Sequence, residues 1–395
     1  MTWQEIILGE VTDNFNPLRK PVKGLDRKSG PYPYYGASGI VDYVDDFIFD
    51  GEYLLIAEDG ENLRTRNTPI AFIATGKYWV NNHAHIVRGN ERANTKYLSY
   101  ALQATDINGY LTGSTMPKLT KGNMNQIRLR LPEIPEQNRI VKVLGALDDK
   151  IENNRRMNET LEEMARAIFK SYFVVFDPVH AKAAGNAPAH MDADTAALFP
   201  SSFGDDGLPV GWANKTLGDL ILPKRGKTIT KSKTKEGTIP VVAGGLEPAY
   251  FHNQSNVEAP VVSISSSGAN AGFTRLYNEN IWASDCSYIS KQVTDTIYFW
   301  YVFLKTNQQK IYHMQQGAAQ PHIYPSDLMR LELTVPNDNK LIQYFENLIS
   351  PYFQRISIAQ KESKTLTELR DTLLPKLMSG EIRVKDAERA VEAAV

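Results

Sequence analysis

Hydrophobic positions follow a helical repeat over two long stretches of the chain. After Pro135, apolar residues recur at alternating spacings of four and three for about 39 residues, the pattern of a coiled-coil seam. A second such stretch follows Pro336 and continues to about Met378, with Pro351 expected to kink it. At ~1.5 Å per residue the first helix would be about 58 Å long, which exceeds the diameter of a small domain. Pairing of the two helices is therefore favoured over docking of each onto its own domain.

The predicted seam of the first helix contains two polar residues. Asn154 and Asn158 occupy seam positions among apolar neighbours. A polar residue at such a position typically fixes the register of paired helices at some cost in stability. Both asparagines are therefore predicted to set the register.

Outside these stretches, the chain consists of short segments rich in β-branched and aromatic residues, broken by Gly, Pro and Asn. Examples are 68–75, 261–264 and 297–304, which we predict to be strands. Combined with the long helices, these segments predict an α+β fold with β-rich domains.

The chain also repeats itself at an offset of 203 to 209 residues. The matches, always in the same order, are Trp3 with Trp212, 54–62 with 262–270, Trp79 with Trp282, 113–117 with 317–321, and two alternating segments that end at Pro132 and Pro336. We interpret them as two copies of one domain. If a pseudo-two-fold axis relates the copies, the long helices run antiparallel and separate the two β-rich domains.

These patterns divide the chain into six segments. A stretch rich in Ala, Gly and Pro is predicted to be a linker or loosely ordered loop, and the C-terminal tail is expected to begin with a short strand-like piece. The predicted segments are 1–133 (first β-rich domain), 134–176 (first helix), 177–211 (linker), 212–336 (second β-rich domain), 337–380 (second helix) and 381–395 (tail).

Composition and charge exclude several classes of protein. The 44 Lys and Arg residues against 45 Asp and Glu residues give a net charge of −1, so any affinity for nucleic acid must come from local clusters. The single cysteine, Cys286, excludes an intrachain disulfide and a multi-thiolate metal site. The first residues do not resemble a signal peptide and the longest apolar run, eight residues, is too short to cross a bilayer, so we expect a soluble cytoplasmic protein without membrane partners.

No catalytic motif is complete in this sequence. Asn16-Pro17 and Asp177-Pro178 lack the second proline and the aromatic residue of a methyltransferase motif. The segment 225–228 is similar to the end of a phosphate-binding loop, but Ile221 stands where the first glycine belongs. His83 and His85 are expected to be buried or hydrogen-bonded rather than metal ligands. We therefore predict neither a catalytic centre nor a metal site.

Cations cluster at equivalent places in the two repeats. Six lie within 224–235 without an acidic residue, five lie within 19–28 with only Asp26, and smaller groups follow the segments 60–62 and 113–117. The predicted phosphate-contacting residues are Arg19, Lys20, Lys23, Arg27, Lys28, Arg64, Arg66, Lys118, Lys121, Lys224, Arg225, Lys227, Lys231, Lys233 and Lys235.

Each basic cluster taken singly is also compatible with a solvated loop. The recurrence in both repeats favours phosphate contact, which would release counterions and make the affinity salt-dependent. Reading a base sequence would then require polar side chains on base edges in the major groove. The candidates in turns are Asn62, Arg64, Asn270, Gln320 and His322.

Several stretches resemble the specificity (S) subunits of type I restriction–modification systems. The stretches that carry the resemblance are Leu131 to Ile140 before the first helix, Phe173 to Pro178 after it, Leu208 to Trp212 at the second domain, and Leu373 to Gly380 near the end. The resemblance covers essentially the whole chain. One departure is the start of the second helix, 336–340, which lacks the Glu-Gln pair present at Glu136-Gln137.

The resemblance implies a recognition subunit that performs no chemistry. Each β-rich domain would be a target-recognition domain reading one half of a bipartite double-stranded DNA site, and the helices would set the gap and dock two modification subunits. Those subunits would carry S-adenosylmethionine and methylate adenine N6. Motor/nuclease restriction subunits, which use ATP and Mg²⁺, would complete the complex. The alternatives are a specificity module of another defence system and a coiled-coil adaptor that binds proteins.

Overall fold

The computed structural model describes residues 3–317 and 320–394. The chain divides into two compact units: unit 1 comprises residues 1–153 and 362–395, and unit 2 comprises residues 154–361. Each unit contains one copy of the repeat and a part of both long helices. Among the described residues, no helix is both long and apolar enough to pass through a membrane.

The described part of unit 1 has two four-stranded sheets and a two-stranded ribbon. Its elements are β1 (Gln4–Ile7), β2 (Thr12–Asn14), β3 (Tyr32–Gly36), β4 (Gly39–Val44), β5 (Phe49–Asp50), β6 (Tyr53–Ala57), α1 (Asn62–Thr65), β7 (Ala71–Ala74), β8 (Lys77–Val80), β9 (Ala84–Gly89), α2 (Thr95–Ala104), α3 (Lys121–Asn125), β10 (Arg128–Leu131) and the first part of α4 (Ile134–Lys170). One sheet has the strand order β2-β9-β6-β7 and is antiparallel. The other has the order β4-β3-β8-β5, in which β3 and β8 are parallel.

Unit 2 repeats this topology over its described residues. Its elements after α4 are α5 (Asp177–Ala183), α6 (Ala193–Ala197), β11 (Trp212–Thr216), α7 (Leu217–Leu220), β12 (Lys224–Arg225), β13 (Ile239–Val242), β14 (Tyr250–His252), β15 (Val261–Ser265), β16 (Thr274–Tyr277), β17 (Trp282–Ala283), β18 (Cys286–Ile289), α8 (Ile297–Thr306), α9 (Gln308–His313), α10 (Pro325–Leu328), β19 (Glu332–Pro336) and most of α11 (Lys340–Ser379). The sheet β12-β18-β15-β16 corresponds to β2-β9-β6-β7, and β14-β13-β17 corresponds to β4-β3-β8 with the same parallel pair. The ribbon β11–β19 corresponds to β1–β10. The predicted α+β fold with two repeated domains is thus confirmed.

One predicted strand is a helix. The segment 297–304, expected to be β, forms most of α8, and seven of its eight residues are buried. A short apolar run that is buried all round has no period to distinguish a strand from a helix. In 68–75 the strand β7 covers only Ala71–Ala74, whereas the segment 261–264 is in a strand as predicted.

The two long helices have about the predicted bounds. α4 is followed by a single π turn, Ser171–Val175, and α11 continues through Pro351, which lies on an exposed face. On such a face, water can bond to the helix carbonyl that proline leaves unpaired.

Within each unit the parts of the two helices pack antiparallel. In unit 1, Arg370 Nη1 lies 2.9 Å from Asp148 Oδ1, and buried leucines of both helices share one core. In unit 2, Asn154 Nδ2 donates to the carbonyl of Ala359 at 3.4 Å, while the Asn158 Oδ1 atom is buried without a hydrogen bond. Within the part of the chain that the structure describes, the side chain of Asn154 thus bonds across the helix pair, and the Oδ1 atom of Asn158 does not. Their effect on register stays a prediction.

Two segments are more ordered than the sequence suggested. The stretch 177–211 contains α5 and α6, and Val179 and Phe199 are buried in the core of unit 2, so the expectation of a loosely ordered loop was wrong. The expectation of a strand-like piece after 381 was also wrong, because the tail forms α12 (Val384–Glu392). Apolar residues at 384, 387 and 391 recur with a helical period and are buried in unit 1.

A buried polar side chain near the start of each long helix holds the preceding domain helix. Gln137 accepts a hydrogen bond from the backbone N–H of Asn94, the residue before α2, at 2.8 Å. Glu346, which lies 209 residues later, accepts from the backbone N–H groups of Tyr298 and Phe299 at the start of α8. Glu346 therefore takes the place of Gln137 in the second repeat, although the Glu-Gln motif itself is absent there.

The buried carboxyl group predicts a dependence of stability on pH. Burial raises the pKa of Glu346 to about 7, although backbone hydrogen bonds partly lower it. Because the pKa is higher in the folded than in the unfolded chain, protonation of Glu346 stabilises unit 2. This contribution is complete at pH values below the ordinary pKa of glutamate and is lost as the pH rises through about 7. The amide of Glu346→Gln cannot ionise, but its NH₂ group loses one of the two backbone hydrogen bonds at every pH. We therefore expect the unfolding temperature of Glu346→Gln, relative to that of the wild type, to be several degrees higher at about pH 8 than at about pH 5.

Thermal unfolding followed by circular dichroism at both pH values tests this expectation. The matched variant is Gln137→Glu, which should show the opposite change and lose stability as the pH rises. If the unfolding temperature of Glu346→Gln differed from that of the wild type by the same amount at both pH values, the raised pKa of Glu346 would be contradicted.

Candidate nucleic-acid interface

Four loops meet at one side of unit 1, and we call them loop cluster 1: residues 19–28, 58–64, 79–83 and 113–118. The indole N–H of Trp79 donates to the carbonyl of Lys20 at 2.6 Å, which ties the basic segment to the end of β8. The N–H of Gly60 donates to the carbonyl of Pro117 at 3.1 Å. Glu58 joins these two pairs of loops to each other. Its carboxylate contacts Arg19 of the basic segment at 2.7 Å and Lys118 of the last loop at 3.4 Å.

The corresponding loops of unit 2 form loop cluster 2: residues 224–235, 266–270, 282–285 and the described part of 316–322. The indole N–H of Trp282 donates to the carbonyl of Lys227 at 2.8 Å. The N–H of Gly268 donates to the carbonyl of Pro321 at 3.0 Å. Gly226 passes so close to the strand end that a Cβ atom would lie 2.3 Å from the carbonyl oxygen of Ser284.

Three repeated motifs of the sequence are therefore the loops of these clusters. The same two hydrogen bonds, one from a tryptophan to the basic segment and one from a glycine to a proline, recur in both units. Equivalent backbone frames thus carry different side chains in the two units.

Glu58 is the electrostatic centre of loop cluster 1. Burial raises its pKa, but the hydrogen bond from Arg19 and the charges of His85, Arg19 and Lys118 outweigh burial and hold the pKa below its ordinary value. Burial also lowers the pKa of His85, whose Nε2 atom lies 2.7 Å from the carbonyl of Leu119. Glu58 therefore stays ionised and keeps three loops together.

Several residues that were predicted to contact DNA make hydrogen bonds within the protein. Arg66 donates to the carbonyls of Gln103 and Thr105 at the C-terminal end of α2. Arg64 donates to the carbonyl of Gly113, and the Asn62 side chain exchanges two hydrogen bonds with the backbone of Thr68. Like Arg19, these side chains shape the loops.

Arg27 and two lysines make contacts at the edges of the clusters. Arg27 pairs with Asp42 at 3.0 Å and stacks on the ring of Tyr34. Lys118 keeps half of its side chain exposed beside Glu58, and Lys224 donates to Gln292 at 3.2 Å.

The remaining predicted cations are exposed. Within the described residues, their side chains make no hydrogen bond and no ion pair. They are Lys20, Lys23, Lys28 and Lys121 in unit 1, and Arg225, Lys227, Lys231, Lys233 and Lys235 in unit 2. Loop cluster 2 accordingly presents the denser positive charge, because the segment 224–235 contains no acidic residue.

A polar pocket of about 280 Å³ opens in loop cluster 2. Gln320 and His322 line it together with Arg225, and the ring of His322 stacks on that of Tyr324 with centroids 6.0 Å apart. Asn270, the third predicted base-reading residue of unit 2, is partly buried in the adjacent turn and does not line the pocket. Asp285 does line it, although its local sequence gives no signal that this carboxylate belongs to the pocket.

Comparisons with known proteins identify the class of the chain. The family described as "Type I restriction modification DNA specificity domain" matches residues 1–163 and again 209–368, which together make up more than half of the sequence. The chain therefore belongs to this family and contains its domain twice. The family predicted from the sequence is confirmed.

Individual relatives agree with this assignment. The MjaIX type I restriction enzyme specificity subunit of Methanocaldococcus jannaschii is 24% identical over 96% of this chain and 92% of its own length. S.HindORF215P of Haemophilus influenzae, also named for a type I specificity subunit, is 44% identical over 140 residues, which are 35% of this chain and 36% of that protein. The crystal structure of a type I S subunit from M. genitalium has the same fold, with a TM-score of 0.60 at 18% identity over 95% of this chain and 96% of that one.

Proposed function

We propose that this chain is the DNA sequence-specificity subunit of a type I restriction–modification complex and is not catalytic by itself. Each unit would bind one half of a bipartite site in double-stranded DNA through its loop cluster. The observation that carries the proposal is the recurrence of one hydrogen-bonded loop frame in both units, with exposed cations beside different polar side chains. Membership of the specificity family supports it.

The two kinds of side chain in each cluster would have different tasks. Exposed lysines such as Lys20, Lys231 and Lys233 would neutralise phosphates and position the duplex, which adds affinity without sequence information. Gln320, His322 and Arg225 converge on a pocket and would contact base edges. In unit 1, the loop that Arg64 and Asn62 shape would present its own set of base-contacting groups.

The long helices would supply spacing and docking. α4 has 37 residues and α11 has 40, which at ~1.5 Å per residue give about 56 and 60 Å. Half-sites one helical turn apart lie ~34 Å from centre to centre, a distance that such helices can bridge. We propose that they set the unspecified gap and dock two modification subunits carrying S-adenosylmethionine, with ATP- and Mg²⁺-dependent restriction subunits joining the complex in the cytoplasm.

The segments proposed for exchange experiments follow from the sequence boundaries. Residues 1–133 and 212–336 would be the two target-recognition domains, and 134–176 and 337–380 the spacer helices. Residues 177–211 would join the repeats, and 381–395 would form the tail.

Methylation mapping tests the function directly. The chain would be expressed with the methyltransferase gene next to its own in a host without DNA methylation, and single-molecule sequencing would compare cells with and without the chain. We expect a bipartite N6-methyladenine motif with a fixed gap only when the chain is present. Methylation that is identical in both cases would contradict the specificity role and favour a protein-binding adaptor.

Exchange of residues 1–133 for those of a relative gives a further expected result. Only one half-site of the motif should change, while the other half-site and the gap stay as they were. Lengthening the helix near Asn154 should change the gap alone. A domain exchange that alters both half-sites would exclude separate reading by the two units.

A further inference from the structure

The two loop clusters share a side-chain contact at the same place in their frames, which we call the interloop pair. In unit 1, Asp59 precedes Gly60 and its carboxylate oxygens lie 2.8 and 3.0 Å from His83 Nδ1. In unit 2, Ser267 precedes Gly268 and its hydroxyl group donates a hydrogen bond to Asp285 Oδ2. Both pairs connect the glycine turn to the segment that follows the anchoring tryptophan.

The interloop pair differs between the units in chemistry but not in position. Unit 1 has a carboxylate on the glycine turn and an imidazole opposite, whereas unit 2 has a hydroxyl group on the turn and a carboxylate opposite. The backbone hydrogen bonds around both pairs are the same. A position that varies inside a constant frame is where two domains of one fold would differ in specificity.

Asp285 is placed to interact with a ligand. Its side chain is partly exposed and lines the 280 Å³ pocket beside Arg225 and Gln320. The hydroxyl group of Ser267 donates a hydrogen bond to Oδ2 of Asp285. Within the described residues, Oδ1 of Asp285 has no hydrogen bond and no ion pair. The serine thus orients the carboxylate and leaves one oxygen available to accept.

A carboxylate on a phosphate-binding surface restricts what that oxygen can contact. It repels phosphate and accepts hydrogen bonds but does not donate them, so it cannot bind the DNA backbone oxygens. The hydrogen-bond donors that duplex DNA offers in the major groove are the exocyclic amino groups of cytosine (N4) and adenine (N6). A neighbouring arginine would suit the O6 and N7 atoms of guanine.

We propose that Asp285, oriented by Ser267, reads an exocyclic amino group in the half-site bound by unit 2. This inference rests on the proposed function, and it makes Asp285 a specificity-determining residue. The equivalent position in unit 1 is the Asp59–His83 pair, which would read a different base.

Methylation mapping of Asp285→Leu in the full complex tests the proposal. Leucine has a similar size but neither accepts nor donates hydrogen bonds, whereas asparagine would keep an acceptor oxygen and can itself read adenine. At a single position of the unit 2 half-site, we expect the preference for the cognate cytosine or adenine over the other bases to fall roughly 10- to 100-fold. The base affected identifies which amino group is read.

Two further variants separate specificity from folding. Ser267→Ala removes the orienting hydroxyl group and should relax the same position to a smaller extent. Lys231→Ala should lower methylation at all sites alike and leave the motif unchanged. Relaxation of the same position by both Asp285→Leu and Ser267→Ala, with unfolding temperatures near that of the wild type, would support base reading.

The contrary outcomes are distinct. An unchanged motif in Asp285→Leu, or a uniform loss of methylation on every sequence, would overturn the role of Asp285. Absence of any chain-dependent bipartite motif with the wild-type protein would instead overturn the proposed function.

Discussion

Replacing Phe345 by alanine is expected to lower the free energy of unfolding of unit 2 by about 3–5 kcal/mol. The ring is completely buried near the start of α11. It lies 5.8 Å from the ring of Phe169 in α4, 5.5 Å from Phe173 in the following π turn, and 5.9 Å from Phe299 in α8, all measured between centroids. Truncation would therefore open a cavity where α11 meets α4, the π turn and α8.

The cavity cannot close easily, because the three neighbouring rings also contact each other. Phe173 and Phe299 are 5.2 Å apart, as are Phe169 and Phe173, so none can move into the space without losing another contact. This interlocking puts the expected loss in the upper part of the range for large-to-small substitutions.

Urea unfolding of the full chain followed by tryptophan fluorescence measures the effect. Phe251→Ala is the matched control, because that ring is more than half exposed in β14 and its removal should change stability by less than about 0.5 kcal/mol. A loss below about 1 kcal/mol for Phe345→Ala would show that the aromatic cluster does not hold unit 2 together.

The long helices and the repeat could be predicted because both depend on residues that are close together in the sequence. Alternating spacings of four and three place Leu144 and Leu147 on one helix face whatever else the chain does, and both are buried. Similarly, Gly60 and Gly268 recur because each backbone adopts a positive φ, 113° and 83°, which glycine adopts readily. Such constraints act within a few residues and survive in a single sequence.

The rest depends on contacts between distant residues. The segment 297–304 forms a helix because it is enclosed by residues from elsewhere in unit 2, and its own sequence carries no strand-or-helix period. Arg19 and Arg66 were predicted to contact phosphate from their charge alone, and the sequence could not show that Arg19 pairs with Glu58 and that Arg66 bonds to carbonyls at the end of α2. Asp285 was not predicted for the converse reason, since only the folded loops place this carboxylate in one pocket with Arg225.

Replacing Lys231, Lys233 and Lys235 together by alanine is expected to weaken binding of duplex DNA roughly 100-fold at about 0.15 M salt. All three side chains are exposed in the segment of loop cluster 2 that contains no acidic residue. If each neutralises one phosphate, the slope of log affinity against log salt should become less negative by ~2.7, because each contact contributes ~0.9. The salt dependence therefore counts the contacts independently of the absolute affinity.

Fluorescence anisotropy of a labelled duplex containing the mapped site, titrated with the full chain at several salt concentrations, gives both quantities. The control is Lys340, Lys376 and Lys385 replaced by alanine, which removes the same charge from exposed positions on α11 and α12. We expect the control to keep the wild-type slope. Equal slopes for the two triple variants would mean that net charge drives binding, whereas a phosphate-contacting loop cluster requires that only the first variant differ from the wild type.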